Sequence, residues 1–270
     1  MCELLAMSSG IPATVNLALG VFARHGGGDG PEKDGWGIAY YEDCDVRLIK
    51  DAAPAFASPW IGFVEGLSLR STLVLAHIRR ATRGAVALRN THPFMRELGG
   101  RQHVFGHNGS VPGVFNSEAF PLGRFHPVGE TDSERAFCAL MERMAQTWER
   151  RDTTPALEER IGVVAEFAGG LRREGRANFF YSDGETVYLH GDRRKQHDDS
   201  LPDGPGLHFL IQHSFEGRPF PAAAGVKVED IDHPVLLAAS VPLTDEEWAP
   251  LSEGELLVAR NGEILSRVRT

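Results

Sequence analysis

Cys2 is the side chain in this sequence best suited to attack a carbonyl, and its position gives it a second chemical feature. Its small size favours removal of Met1, so the mature chain is expected to begin at Cys2, with a thiol and a free α-amine on one residue. Their reference pKa values are roughly 8.5 and 7.7–8.0, so the amine is partly neutral near pH 7 and can take the thiol proton. No separate histidine base is required. The plainer reading is that Cys2 merely opens a strand, so the rest of the sequence must supply the other parts of a site.

Three stretches bear on that question. Ala76 to Gly84 concentrates guanidinium groups where a strand runs into a loop, and Arg79 there could form paired bonds to a carboxylate. A solvated surface turn is the alternative. Gly106-His107-Asn108-Gly109-Ser110 reads as a strand breaking into a tight turn. The Asn108 amide beside the Gly109 backbone N–H offers two donors for a developing oxyanion, although Asn-Gly is also the commonest hairpin turn. In Gly129 to Glu134, Asp132 could hold an ammonium group, or simply favour the start of a helix.

The elements that carry these residues follow from periodicity. Glu3 to Met7 reads as a short buried strand headed by Cys2, and Pro12 opens a helical pattern that Gly26-Gly27-Gly28 ends. Trp36–Tyr41 and Val46–Lys50 form a hairpin, Ser58-Pro59 caps and starts a helix toward Leu67, and Leu73–Ile78 is a buried strand delivering Arg79. Thr131 and Glu134 make a capping box for a helix with Ala136, Phe137, Leu140, Met141, Met144 and Trp148 on one face. Thr154-Pro155 begins another helix, with Leu157, Ile161, Val164, Ala168 and Leu171 inward and Gly175 near its end. Asn178–Tyr181 pairs with Thr186–His190 around Asp183-Gly184, and Asp192 to Pro205 is a polar loop. Leu207–Gln212, Val235–Ala239, Leu256–Ala259 and Ile264–Val268 read as strands, the last two joined at Asn261-Gly262. Strands at both ends with helices between them suggest an α+β chain of two stacked sheets flanked by helices, in a single domain.

Composition narrows the partners. A formal charge of -9 over 270 residues argues against nucleic-acid affinity, and no apolar run is long enough to span a membrane. Three cysteines make no disulfide framework and fit a reducing cytoplasm; Cys44 falls in a polar turn and Cys138 on an apolar helix face. No signal-peptide pattern opens the sequence. His77, His92, His103 and His107 are close in sequence but lack metal-ligand spacing, so neither a metal nor another cofactor is expected. The glycine-rich Gly26–Asp34 stretch lacks a P-loop ending.

Taken in order, Cys2, His77 to Gly84, Thr91-His92-Pro93, His107-Asn108-Gly109 and Thr131-Asp132-Ser133-Glu134 resemble the class II glutamine amidotransferase domain, an N-terminal-nucleophile hydrolase. More narrowly, Met1-Cys2-Glu3-Leu4-Leu5, Gly26-Gly27-Gly28, Lys33-Asp34-Gly35-Trp36-Gly37 and Glu130-Thr131-Asp132-Ser133-Glu134 are similar to the stand-alone YafJ-like subgroup. The resemblance implies a four-layer αββα sandwich over residues 1–270, with the motifs in residues 2–135. It implies Cys2 as nucleophile, Asn108 and Gly109 as the oxyanion hole, Arg79 and Thr82 at the α-carboxylate of glutamine, and Asp132 at its α-ammonium. His77, His92 and His107 would support the site. Arg80 and Arg83 stand where many synthase-linked members carry tryptophan and histidine, which puts contacts to a synthase in question.

The implied partner is a small molecule, glutamine or a γ-glutamyl amide in a larger metabolite or peptide, with any ammonia acceptor or synthase on a separate chain. The oligomeric state is left open. A non-catalytic binding protein retaining the fold is the alternative of another class.

Overall fold

The computed structural model describes residues 2–14, 22–28, 33–148, 153–195, 201–212 and 233–270. Its first strand, β1 (Glu3–Ala13), is buried from Glu3 through Ser9, because it lies inside a sheet covered on both faces. Alternation along the strand divides its side chains. Leu5 and Met7 enter one apolar cluster, while Leu4 and Ala6 enter another.

The same division runs through the neighbouring strands. A seven-stranded antiparallel sheet joins β1 to β2 (Trp36–Glu42), β3 (Asp45–Asp51), β4 (Ser71–Ile78), β9 (His208–Gln212), β10 (Val235–Ala239) and the short β11 (Ala249–Pro250), in the order β11-β9-β10-β1-β4-β2-β3. A six-stranded antiparallel sheet holds β5 (Phe94–Leu98), β6 (Arg101–Ser110), β7 (Arg176–Ser182), β8 (Val187–Gly191), β12 (Glu255–Arg260) and β13 (Glu263–Arg269), in the order β13-β12-β8-β7-β6-β5. Leu4, Leu75 and Leu236 of the first sheet meet Val104, Phe180, Leu189 and Leu257 of the second between the layers.

Helices cover the outer faces. On the first sheet lie Val64 of α1 (Pro59–Leu67), Ala55, and Phe22 and Ala23 of a helical turn. On the second, α2 (Asp132–Thr147) and α3 (Leu157–Glu174) pack Phe137, Leu140, Met141, Phe167 and Leu171 against Phe105, Phe179 and Tyr181. The fold is therefore the expected four-layer αββα sandwich. Phe167, which the helical reading left out, is fully buried, whereas Leu157 and Ile161 are only partly covered. No helix among the described residues is long and apolar enough to cross a membrane.

Two local expectations are corrected. Pro12 does not open a helix: β1 continues to Ala13, which faces Ser71 after a register shift, and Pro12 sits exposed in the strand's last turnout. Its missing N–H is harmless there. The described helical residues are Phe22–His25, ending at Gly26–Gly28, while Val15, Leu17, Ala18 and Val21 lie outside the described residues. Second, Asn108-Gly109 is not a turn, since both residues remain in β6 opposite Asn178 and Ala177. Asn261-Gly262, by contrast, is a true turn with φ of 54° and 82°. The Ser58 hydroxyl donates to Asp51. Of the polar Asp192–Pro205 loop, Arg194 and Asp203 pair with each other, and residues 196–200 lie outside the described residues.

Candidate active site

Cys2 immediately precedes β1, and the register sets Glu3 opposite Ile78 at the end of β4. The thiol is thereby brought to the loop that follows β4. The Arg80 N–H donates to Cys2 Sγ at 3.2 Å, and the thiol can donate to the Arg80 carbonyl at 3.4 Å. Cys2 is half-buried, Cys44 is exposed, and Cys138 is buried in α2 with its thiol pushed up to about 11 by desolvation. Cys2 combines access with backbone polar groups held against its sulfur.

Arg79 is no surface residue, being 2% exposed. Its two terminal nitrogens donate to four carbonyl oxygens: Asp34 and Ala85 from one, Arg83 and Gly84 from the other, at 3.0–3.3 Å. Burial lowers its pKa, opposed by Cys2, Asp34 and Glu130. The Asp34 carboxylate also accepts from the Ala81 N–H at 2.8 Å, so the Asp34-Gly35 segment and the Arg79 loop hold each other. The resemblance assigns no role to Asp34, which lies in the Lys33–Gly37 motif. Thr82 is exposed, and no hydrogen bond ties it to these groups among the described residues.

The opposing sheet contributes Asn108 and Gly109. Asn108 Nδ2 donates to the Cys2 carbonyl and, at 3.2 Å, to Ser240 Oγ. Across the ladder from Gly109, Ala177 turns its N–H to Asp192 and its carbonyl to His190. Gly109 must therefore aim its own N–H the other way, beyond the last pairing of β5 at Phe94. A Cβ at Gly109 would collide with the Arg176 carbonyl, which explains glycine at this point of close approach.

Asp132 opens α2 just beyond. Its carboxylate accepts from the Val111 N–H at 2.7 Å and from the Ser133 N–H at 3.0 Å, tying the end of β6 to the helix. The Thr131 hydroxyl caps the helix by accepting from the Glu134 N–H at 3.2 Å. Glu134 does not complete the box. Its carboxylate accepts instead from Val128, Gly129 and Arg96.

The three histidines lie beneath this array. His77 Nε2 donates to the His107 carbonyl at 3.1 Å, linking the two sheets, and the His77 ring stacks on His92 with centroids 4.1 Å apart. His107 bonds Ser133 Oγ at 2.8 Å and the Arg176 carbonyl at 2.9 Å. All three are kept neutral by burial, His77 down to about 3. Among the described residues no three potential ligands converge on a metal.

Cys2, Arg79, Asn108 and Gly109 thus come together, Asp132 is attached through Val111, and Thr82 stands apart. Sequence reasoning missed Ser240 and Asn178, which bond Asn108 from distant strands, and Arg194, which holds the Ser240 carbonyl. Each lies outside any motif, so only the topology could reveal it.

The family described as "Glutamine amidotransferases class-II" matches residues 1–270. The chain is 44% identical over 187 residues to the Escherichia coli (strain K12) protein named "Putative glutamine amidotransferase YafJ", covering 69% of this chain and 71% of that one. A crystal structure titled as a "predicted glutamine amidotransferase" from Pseudomonas aeruginosa PA01 superposes with a TM-score of 0.70 at 31% identity, over 98% of this chain and all of that one. The glutamine phosphoribosylpyrophosphate amidotransferase of B. subtilis shares the fold, with a TM-score of 0.60 at 13% identity, over 99% of this chain and 49% of its own.

Proposed function

From membership in the class II glutamine amidotransferases, the family to which this chain belongs, we propose that it cleaves the side-chain amide of glutamine with Cys2 as nucleophile. The observation that carries this reading is the direct bond from the Asn108 amide to Cys2, beside a buried Arg79. After loss of Met1, the Cys2 α-amine takes the thiol proton and Sγ attacks the amide carbon. The oxyanion is met by the Gly109 N–H and by Asn108 Nδ2, whose hydrogen on Ser240 it shares in a three-centre bond while the Ser240 contact holds. The proton held by the amine passes to the departing nitrogen, releasing ammonia and leaving a γ-glutamyl thioester. Water activated by the same amine then releases glutamate and regenerates the thiol.

Substrate selection follows from two charged ends. Arg79 exchanges carbonyl partners for the α-carboxylate, and Asp132 takes the α-ammonium with lone pairs not directed at Val111 and Ser133. Residues 1–270 act as one domain.

The test is release of ammonia and glutamate from glutamine by the isolated protein, alongside its intact mass. Cys2→Ala is expected to abolish turnover while leaving the circular-dichroism spectrum unchanged. Wild-type turnover in that variant, or Met1 retained in fully active protein, would refute the mechanism. A panel of γ-glutamyl amides and dipeptides identifies the leaving amine. Rapid turnover of bulky members with little on glutamine would make the protein a γ-glutamyl amide hydrolase using the same thioester.

A further inference from the structure

We infer that Ser240 is a positioning residue of this site, setting the distance between the nucleophile and the Asn108 amide. It lies one residue past β10, which flanks β1 on the side away from β4. Leu5 faces Ala239 in that ladder, so Ser240 faces Leu4. The Ser240 N–H donates to the Leu4 carbonyl at 3.0 Å as the ladder requires. Its own carbonyl, however, turns away to Arg194 Nη1 at 2.6 Å, and the Leu4 N–H donates to the Ser240 hydroxyl instead, at 3.1 Å.

The same hydroxyl accepts from Asn108 Nδ2 at 3.2 Å, while the other hydrogen of that amide goes to the Cys2 carbonyl. One oxygen therefore joins the strand carrying the nucleophile, in one sheet, to the side chain of the other sheet that faces it. Ser240 is 1% exposed, so no water substitutes freely for it. Without the hydroxyl, two buried donors lose their acceptor, and the Asn108 amide is free to swing from its bearing on Cys2. Asn178 holds only the backbone of Asn108, donating to its carbonyl at 3.1 Å, and does not fix the amide.

The inference rests on the roles given above to Cys2 and Asn108, and its test separates the two. Ammonia release is measured for wild type, Ser240→Ala, Ser240→Cys, Ser240→Thr, Asn108→Ala and the double variant Ser240→Ala with Asn108→Ala. Ser240→Ala lowers kcat about tenfold with KM nearly unchanged, as loss of one neutral hydrogen bond at an oxyanion donor should. Ser240→Cys, nearly isosteric but a weak acceptor, behaves alike and serves if the alanine variant folds poorly. Ser240→Thr recovers most of the rate, and Ser240→Ala has no further effect once Asn108 is alanine. Wild-type kcat in both Ser240→Ala and Ser240→Cys, or equal losses with and without Asn108, would overturn the assignment.

A nitrogen-15 spectrum of the resting protein reads the same contact without turnover. The Asn108 side-chain amide resonances shift in Ser240→Ala and Ser240→Cys. If the wild type releases no ammonia, the catalytic reading fails on its own, and unmoved Asn108 resonances would then remove Ser240 as its anchor.

Discussion

Arg79 binds so many carbonyls, three in its own loop and that of Asp34, that in its proposed role a substrate carboxylate displaces some of them, making the side chain both a strut and a receptor. Lysine keeps the charge but cannot fork to several oxygens at once. Arg79→Lys is therefore expected to lower kcat/KM for glutamine about 10–100-fold, mainly through KM, as initial rates over a substrate range will report. The buried histidines make a second claim at this scale. His103 and His190 are pushed down to about 4 and His77 to about 3 by desolvation, against roughly 6.5 in an unfolded chain. Above pH 6.5 both states are neutral and the stability is intact. Between pH 6.5 and 4 the unfolded chain takes up protons that the folded one refuses, so Tm falls with falling pH. His103→Gln should flatten part of that slope; an unchanged slope would remove His103 as a contributor. The residue types at the site were legible before the fold was known. Their partners were not, because a cysteine's motif does not say that its carbonyl meets an asparagine 106 positions away.

Among the elements, α2 links chemistry to scaffold most directly, since Asp132 occupies its first turn and Thr131 caps it. Thr131→Ala should cost about 0.5–2 kcal/mol, measured as a lower urea midpoint, and should weaken glutamine binding by loosening Asp132. Helix α2, the hairpin β2–β3 and the strand delivering Arg79 were readable because cap, turn and alternation agree with one another. Pro12 and Asn108-Gly109 were misread for a common reason. A local signal for a helix start or a hairpin yields when a neighbouring strand supplies backbone partners, as β4 does near Ala13 and β7 does along Asn108. The Asn-Gly pair at 261–262 has no such neighbour to override it and turns as its sequence says.

At the scale of the molecule, Cys2 and Arg79 ride on the seven-stranded sheet, whereas Asn108 and Gly109 belong to the six-stranded one. Alignment of the site is therefore a property of the packing between layers. Leu257, with two strands between β12 and β6, lies within that packing at 0% exposure. Leu257→Ala should destabilise the protein by about 2–5 kcal/mol and also lower kcat, though it touches no reacting group. Unaltered kcat in a clearly destabilised variant would show that the layers hold their registry without it. The two sheets are interleaved along the chain: the first sheet takes β1 to β4, the second β5 to β8, the first again β9 to β11, and the second β12 and β13. A fragment stopping at residue 135 would thus contain every recognisable motif, yet lack β10 and β7, one of the two neighbours of β1 and of β6. Cutting the gene there should yield an insoluble, silent peptide, and splitting the function into transferable modules is closed to this architecture.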